Sequence, residues 1–121
     1  MAITTQPGAK STDLTTLLGT ELADTFALAD DSLYINGLEG ADTLTAADGV
    51  DKITAMMGAG GDSLTFSGDV DASNIQLGKG NDTAQFENFD GTVGGGDGND
   101  SIDFNRAAEK ATIKGADGND T

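Results

Sequence analysis

One short pattern returns along this chain and limits what it can fold into. Gly95-Gly96-Asp97-Gly98-Asn99-Asp100-Ser101-Ile102-Asp103 fits the nonapeptide G-G-x-G-x-D-x-U-x, with U a large apolar residue, at every specified position. Its neighbour is Gly115-Ala116-Asp117-Gly118-Asn119-Asp120-Thr121. Earlier copies are Leu77-Gly78-Lys79-Gly80-Asn81-Asp82-Thr83-Ala84-Gln85, Met57-Gly58-Ala59-Gly60-Gly61-Asp62-Ser63-Leu64-Thr65 and Gly37-Leu38-Glu39-Gly40-Ala41-Asp42-Thr43-Leu44-Thr45. A worn copy, Gly19-Thr20-Glu21-Leu22-Ala23-Asp24-Thr25-Phe26-Ala27, opens the series. The copies start at residues 19, 37, 57, 77, 95 and 115, so the steps are 18, 20, 20, 18 and 20 residues, or about two nonapeptides each. A fixed period of this kind marks a solenoid, in which each unit buries its apolar side only against its neighbours.

Between the glycine copies lie units 28–36, 46–54, 68–76, 86–94 and 106–114, which share an apolar eighth position through Ile35, Ile53, Ile75, Val93 and Ile113. With two nonapeptides per coil, successive turns fall on opposite edges. The glycine turns then line a first edge, and degenerate turns such as Arg106-Ala107-Ala108-Glu109-Lys110-Ala111 line a second. The longer coils contain two extra residues, assigned to Ala55-Met56, Phe66-Ser67 and Phe104-Asn105. An even insertion preserves the inward and outward alternation of a strand, whereas a single residue would turn every later side chain over. Every second residue after the glycine turns gives inward pairs Phe26/Leu28, Leu44/Ala46, Leu64/Phe66, Ala84/Phe86 and Ile102/Phe104, with Thr43, Thr45, Ser63, Thr65, Thr83, Gln85, Ser101 and Asp103 outward. The fold expected is all-β: short parallel strands stacked in about six coils. Residues 1–18, with Leu17 at an eighth position, read as an N-terminal cap or half-coil, and residues 19–121 as the repeat domain.

Composition sets the alternative this reading must overcome. Only 36% of the 121 residues are hydrophobic, with 18 Gly, no Trp and net charge −15. Such a chain without a repeat reads as disordered, because it buries too little apolar surface to offset its ordering entropy. Cysteine and histidine are absent, which removes disulfides, thiolate zinc sites and Ser-His-Asp catalysis and leaves oxygen atoms as metal ligands. Hard cations such as calcium suit oxygen. The acidic surface argues against nucleic acid. Met1-Ala2-Ile3-Thr4-Thr5-Gln6-Pro7 is no signal peptide, and no apolar run is long enough to span a bilayer, so a soluble chain without membrane insertion is expected.

On these motifs residues 19–121 resemble the repeat region of RTX (repeats-in-toxin, hemolysin-type calcium-binding) proteins, a surface-layer or sheath-type member being one kind the resemblance admits. The resemblance implies a right-handed parallel β-roll in which the first six residues of each nonapeptide make a turn and the last three a short strand. Alternate degenerate turns depart from that pattern, so calcium turns are expected mainly on one edge. Only Asp48-Gly49-Val50-Asp51 keeps a partial calcium-like turn on the other.

Coils stacked at strand spacing, about 4.8 Å, would align Asp24, Asp42, Asp62, Asp82, Asp100 and Asp120 in a ladder. Like charges at that spacing repel by roughly 0.9 kcal/mol in water and about 3.5 kcal/mol at an effective dielectric of 20. A cation between turns reverses the sign of this term, taking carboxylate oxygens together with carbonyls from turns carrying Gly40, Gly60, Gly80, Gly98 and Gly118. Calcium tolerates such irregular cages better than magnesium. The first gap should bind more weakly, because Leu22 replaces a turn glycine. Asn81, Asn99 and Asn119 read as turn-formers contributing carbonyls rather than side-chain ligands. Glu39, Asp97 and Asp117 are solvated acids or ligands with equal weight. Phe66, Phe86 and Phe104 read as core stacking.

The function expected is a calcium-binding structural repeat protein of the bacterial cell surface or extracellular matrix, folding after export and associating with copies of itself or with further coils. It is not expected to be an enzyme. The alternative is a calcium-dependent folding and secretion module of a larger enzyme, toxin or adhesin. Repeats that begin close to Met1 favour the first, since family members of the second kind usually carry their activity ahead of the repeats. The chain stops at the seventh position of a nonapeptide and reads as a fragment.

Overall fold

The computed structural model describes residues 16–18, 22–28, 31–46, 49–106 and 110–121. Among these there is no helix. The strands are β1 (Thr16–Leu18), β2 (Thr25–Leu28), β3 (Tyr34–Asn36), β4 (Thr43–Ala46), β5 (Val50–Asp51), β6 (Thr54–Ala59), β7 (Ser63–Lys79), β8 (Thr83–Asp97), β9 (Ser101–Phe104) and β10 (Lys110–Asp117). They form one 10-stranded sheet whose pairs are all parallel. Two columns result. In one, Thr25, Thr43, Ser63, Thr83 and Ser101 stack in register; in the other, Tyr34, Thr54, Asn74, Thr92 and Thr112 do. The long strands β7 and β8 run through second-edge turns and so contribute to both columns.

The architecture is thus an all-β parallel solenoid of about four turns rather than six coils. Counting glycine copies overestimates the coils because each copy is only a turn, whereas a closed coil needs that turn and two strands. Part of the copy at 19–27, most of the cap at 1–18, Asp48 and residues 107–109 lie outside the described residues.

The even insertions keep register but sit elsewhere than the sequence suggests: Phe66 and Phe104 are paired strand residues, and the passage from Ser63 to Asn74 takes its two extra residues singly, at bulges between Phe66 and Asp69 and between Val70 and Ser73. Ala55 and Met56 pair with Ile35 and Asn36 below and with Ile75 and Gln76 above, so they are ordinary strand residues. The extra pair precedes Thr54, in the turn between β4 and β6. Ile53 accordingly leaves the eighth-position column to Ala55. Passage across the first edge always takes nine residues, as from Tyr34 to Thr43, Thr54 to Ser63, Asn74 to Thr83 and Thr92 to Ser101. Passage across the second takes nine, from Thr83 to Thr92, or eleven, from Thr43 to Thr54, Ser63 to Asn74 and Ser101 to Thr112. All length variation therefore falls on the second edge.

The inward pairs from Phe26/Leu28 to Ala84/Phe86 are buried, and Ile102 and Phe104 are partly so. The second edge adds a column the repeat pattern does not announce: Val50 stacks on Val70 and Val70 on Phe89, all buried. Phe66 and Phe86 stack at 5.1 Å, Phe86 and Phe104 at 5.3 Å, and Phe89 meets Phe86 at 4.5 Å. Such ring pairs contribute roughly 0.5–1.5 kcal/mol each beyond their burial. Ile113 continues the column of Ile35, Ile75 and Val93 yet is 51% exposed, because β10 pairs only with β8.

In the five first-edge turns from residue 37 onward the second residue has a left-handed backbone: Leu38 at φ 79°, Gly58 at 101°, Gly78 at 111°, Gly96 at 104° and Ala116 at 83°. Glycine adopts this freely, whereas a side chain there costs about 1–3 kcal/mol. Leu38→Gly and Ala116→Gly should therefore each stabilise the folded chain by about 1 kcal/mol, although each removes a side chain. A higher urea midpoint checks this; a lower one contradicts it.

Candidate metal centre

The first-edge turns bring together the sixth-position aspartates that the repeat aligns. The Oδ1 of each one from Asp42 to Asp120 accepts a hydrogen bond from the backbone N–H of its counterpart one coil earlier. Asp24 N–H donates to Asp42 (2.9 Å), Asp42 to Asp62 (2.8 Å), Asp62 to Asp82 (2.7 Å), Asp82 to Asp100 (3.0 Å) and Asp100 to Asp120 (3.1 Å). Asp24, Asp42, Asp62, Asp82 and Asp100 are all at least 98% buried. Backbone to carboxylate bonds of this type are charge-assisted and short.

The other carboxylate oxygen has no such partner. Oδ2 of Asp42, Asp62, Asp82 and Asp100 is buried without any hydrogen bond. In the turns that begin with glycine, this oxygen lies against the first residue: a Cβ on Gly37, Gly95 or Gly115 would overlap Oδ2 of Asp42, Asp100 or Asp120. Met57 and Leu77, both fully buried, hold that place in the two middle turns. A buried charged oxygen with no donor is costly, and the usual remedies are protonation or a cation.

Close stacking of the turns depends on the fourth-position glycines Gly40, Gly60, Gly80, Gly98 and Gly118, all at positive φ. At Gly80, with φ 129°, a Cβ would strike the carbonyl of Gly60 one coil below. Backbone oxygens therefore crowd the edge where the carboxylates converge. Among the described residues no three acidic side chains form a metal-holding group. Each gap joins two ladder carboxylates, and backbone carbonyls of the turns lie on the same edge.

The fifth-position asparagines take a role the sequence does not declare. Asn81 Oδ1 accepts from Asn99 N–H and Asn99 Oδ1 from Asn119 N–H, both at 2.9 Å, which ties successive turns together and leaves the backbone carbonyls as the ligands these residues can offer. Ala41 and Gly61 provide no such bond. Glu39, Asp97 and Asp117 are exposed and stack in one column with Ala59 and Lys79.

The second edge differs at the decisive position. Thr43 N–H donates to Asp24 O and Ser63 N–H to Asp42 O, while across the roll Thr54 N–H donates to Leu33 O and Asn74 N–H to Ile53 O. Leu33 and Ile53 thus stand where the first edge has aspartates, and both are buried. Ser73, next in that column, is satisfied: its Oγ accepts from Ile53 N–H and donates to Asp71 O. The second-edge acids Asp31, Asp51 and Asp71 are exposed. Counting two residues back from the inward strand position finds Ile53 opposite Asp42, a signal the displaced insertion conceals.

No family model, curated protein or solved structure matches this chain.

Burial raises the Asp62 carboxyl to about 7, against the opposing effect of the Asp42 N–H bond and with added repulsion from Asp82 and Asp42. Asp42 and Asp82 are raised for the same first reason. An acid with a raised folded pKa binds more protons folded than unfolded, so stability increases as pH falls. The ladder's destabilisation is absent below the ordinary carboxylate pKa, about 4, and complete only above the raised values. In chelator, folded β signal should grow from pH 8 down to about pH 4.5 by circular dichroism. A signal that falls over that interval contradicts the raised pKa values.

Proposed function

We propose that this chain is a calcium-binding structural repeat protein of the bacterial cell surface or extracellular matrix, whose coils close at neutral pH when calcium enters the first edge. The observation that carries this reading is the row of buried, donorless Oδ2 atoms on Asp42, Asp62, Asp82 and Asp100. Neutral pH favours their ionised form in solution, and a divalent cation held between consecutive turns would neutralise them in pairs. The donor set contains only carboxylate and carbonyl oxygen, which suits a hard cation. The cage is irregular, which suits calcium, with its 6–8 flexible ligands, better than octahedral magnesium.

On this reading the ligands come from Asp42, Asp62, Asp82, Asp100 and Asp120, the carbonyls of turns holding Gly40, Gly60, Gly80, Gly98 and Gly118, and the backbone of Asn81, Asn99 and Asn119. Asp24 belongs to a weaker terminal gap, where Leu22 replaces glycine. The likeness to RTX repeats rests on the same residues, and right-handed coiling is what parallel strand crossovers almost always adopt. The role is structural rather than catalytic, since the paired acids are accounted for by the ladder. Low cytosolic calcium would leave the chain open until export, after which its coils would associate with copies of itself or with further coils.

Titration of the chelated chain with calcium at pH 7.5 should convert a weak signal into a β spectrum, with magnesium much less effective. Asp82→Asn keeps an oxygen for the Asp62 N–H but removes one charge. It should stabilise the chelated form while weakening calcium binding on the order of tenfold. Full β structure in chelator, unchanged by calcium, would contradict the proposal.

A further inference from the structure

The third-position column on the first edge runs Glu39, Ala59, Lys79, Asp97, Asp117, each residue in register with the next. All but Ala59 are exposed, so these charges act on the ladder through solvent and do not occupy its buried interior. Lys79 therefore places a positive charge beside the two gaps that flank its turn: between turns 57–62 and 77–82, and between turns 77–82 and 95–100. The gap between turns 95–100 and 115–120 is flanked instead by Asp97 and Asp117. Its inner wall carries the buried, donorless Asp100 Oδ2, and its turns are tied by the Asn99 to Asn119 bond.

Resting on the cation reading above, we propose that the ladder is graded: the gap between turns 95–100 and 115–120 takes its cation first, and Lys79 holds down affinity in the two gaps beside it. Lys79 is thus a tuning residue that spreads occupancy over a range of calcium concentration instead of a single threshold. One unit charge acting through water on a divalent ion at a separation on the order of 10 Å, about the screening length at 0.1 M salt, changes affinity by about threefold at low salt. The effect should shrink as the screening length approaches about 3 Å near 1 M salt.

The test is isothermal titration of the full chain with calcium chloride at low ionic strength. Wild type should show a tight class and a weaker class. Lys79→Gln should tighten the weaker class about threefold and Lys79→Glu about tenfold, narrowing the separation. Asp117→Asn, which borders that gap alone, should loosen only the tight class. Lys52→Glu makes the same charge change on the opposite edge and should leave both classes in place. Equal effects from Lys79→Glu and Lys52→Glu, or a uniform shift of every site, would overturn the grading. A wild-type chain that binds no calcium would sink the cation reading itself, which separates the two failures.

Discussion

Each coil of this solenoid is held to the one before it by a buried aspartate reaching back to a backbone N–H. That bond serves a turn amide and joins one turn to the next. It also introduces one buried carboxylate per coil, stacked on others of like charge. The same side chain therefore joins the turns and opposes their approach. What the chain can do follows from that conflict, because anything neutralising the free oxygens releases the attractive half of the interaction.

The two edges divide the labour. The first edge has constant length, left-handed turn residues and glycines that admit carbonyls from the coil below, so its geometry repeats closely enough to align carboxylates. The second edge absorbs every two-residue insertion and fills its interior with Leu33, Ile53, Val50, Val70 and Phe89. One side supplies ordinary apolar cohesion, which needs only volume. The other depends on exact stacking of charged groups, and tolerates no change in length. Apolar packing on one edge is thereby separated from buried charge on the other.

Much of this was legible before any coordinates. Period-two alternation after each glycine turn identified the inward residues from Phe26 to Phe104, and the common sixth position identified the ladder. The coil count and the places of the two-residue insertions were not legible. A turn motif marks half a coil, and residues of similar polarity on the second edge leave the two-residue offset undetermined. The asparagine bonds were hidden for a different reason: Asn in a turn satisfies local backbone as readily as a neighbouring coil, and only the stacking distance decides. The charge column through Lys79 was hidden as well, because it exists only once the register between turns is known.

The central claim is positional: divalent cations belong between consecutive first-edge turns, against the free oxygens of the aspartate ladder. Anomalous diffraction from crystals grown with calcium locates such ions directly. The account predicts peaks along the first edge at about strand spacing, 4.8 Å, each within 2.3–2.6 Å of carboxylate and carbonyl oxygens. A well-ordered solenoid in saturating calcium with no peak on that edge, or with peaks confined to the second edge, would contradict it.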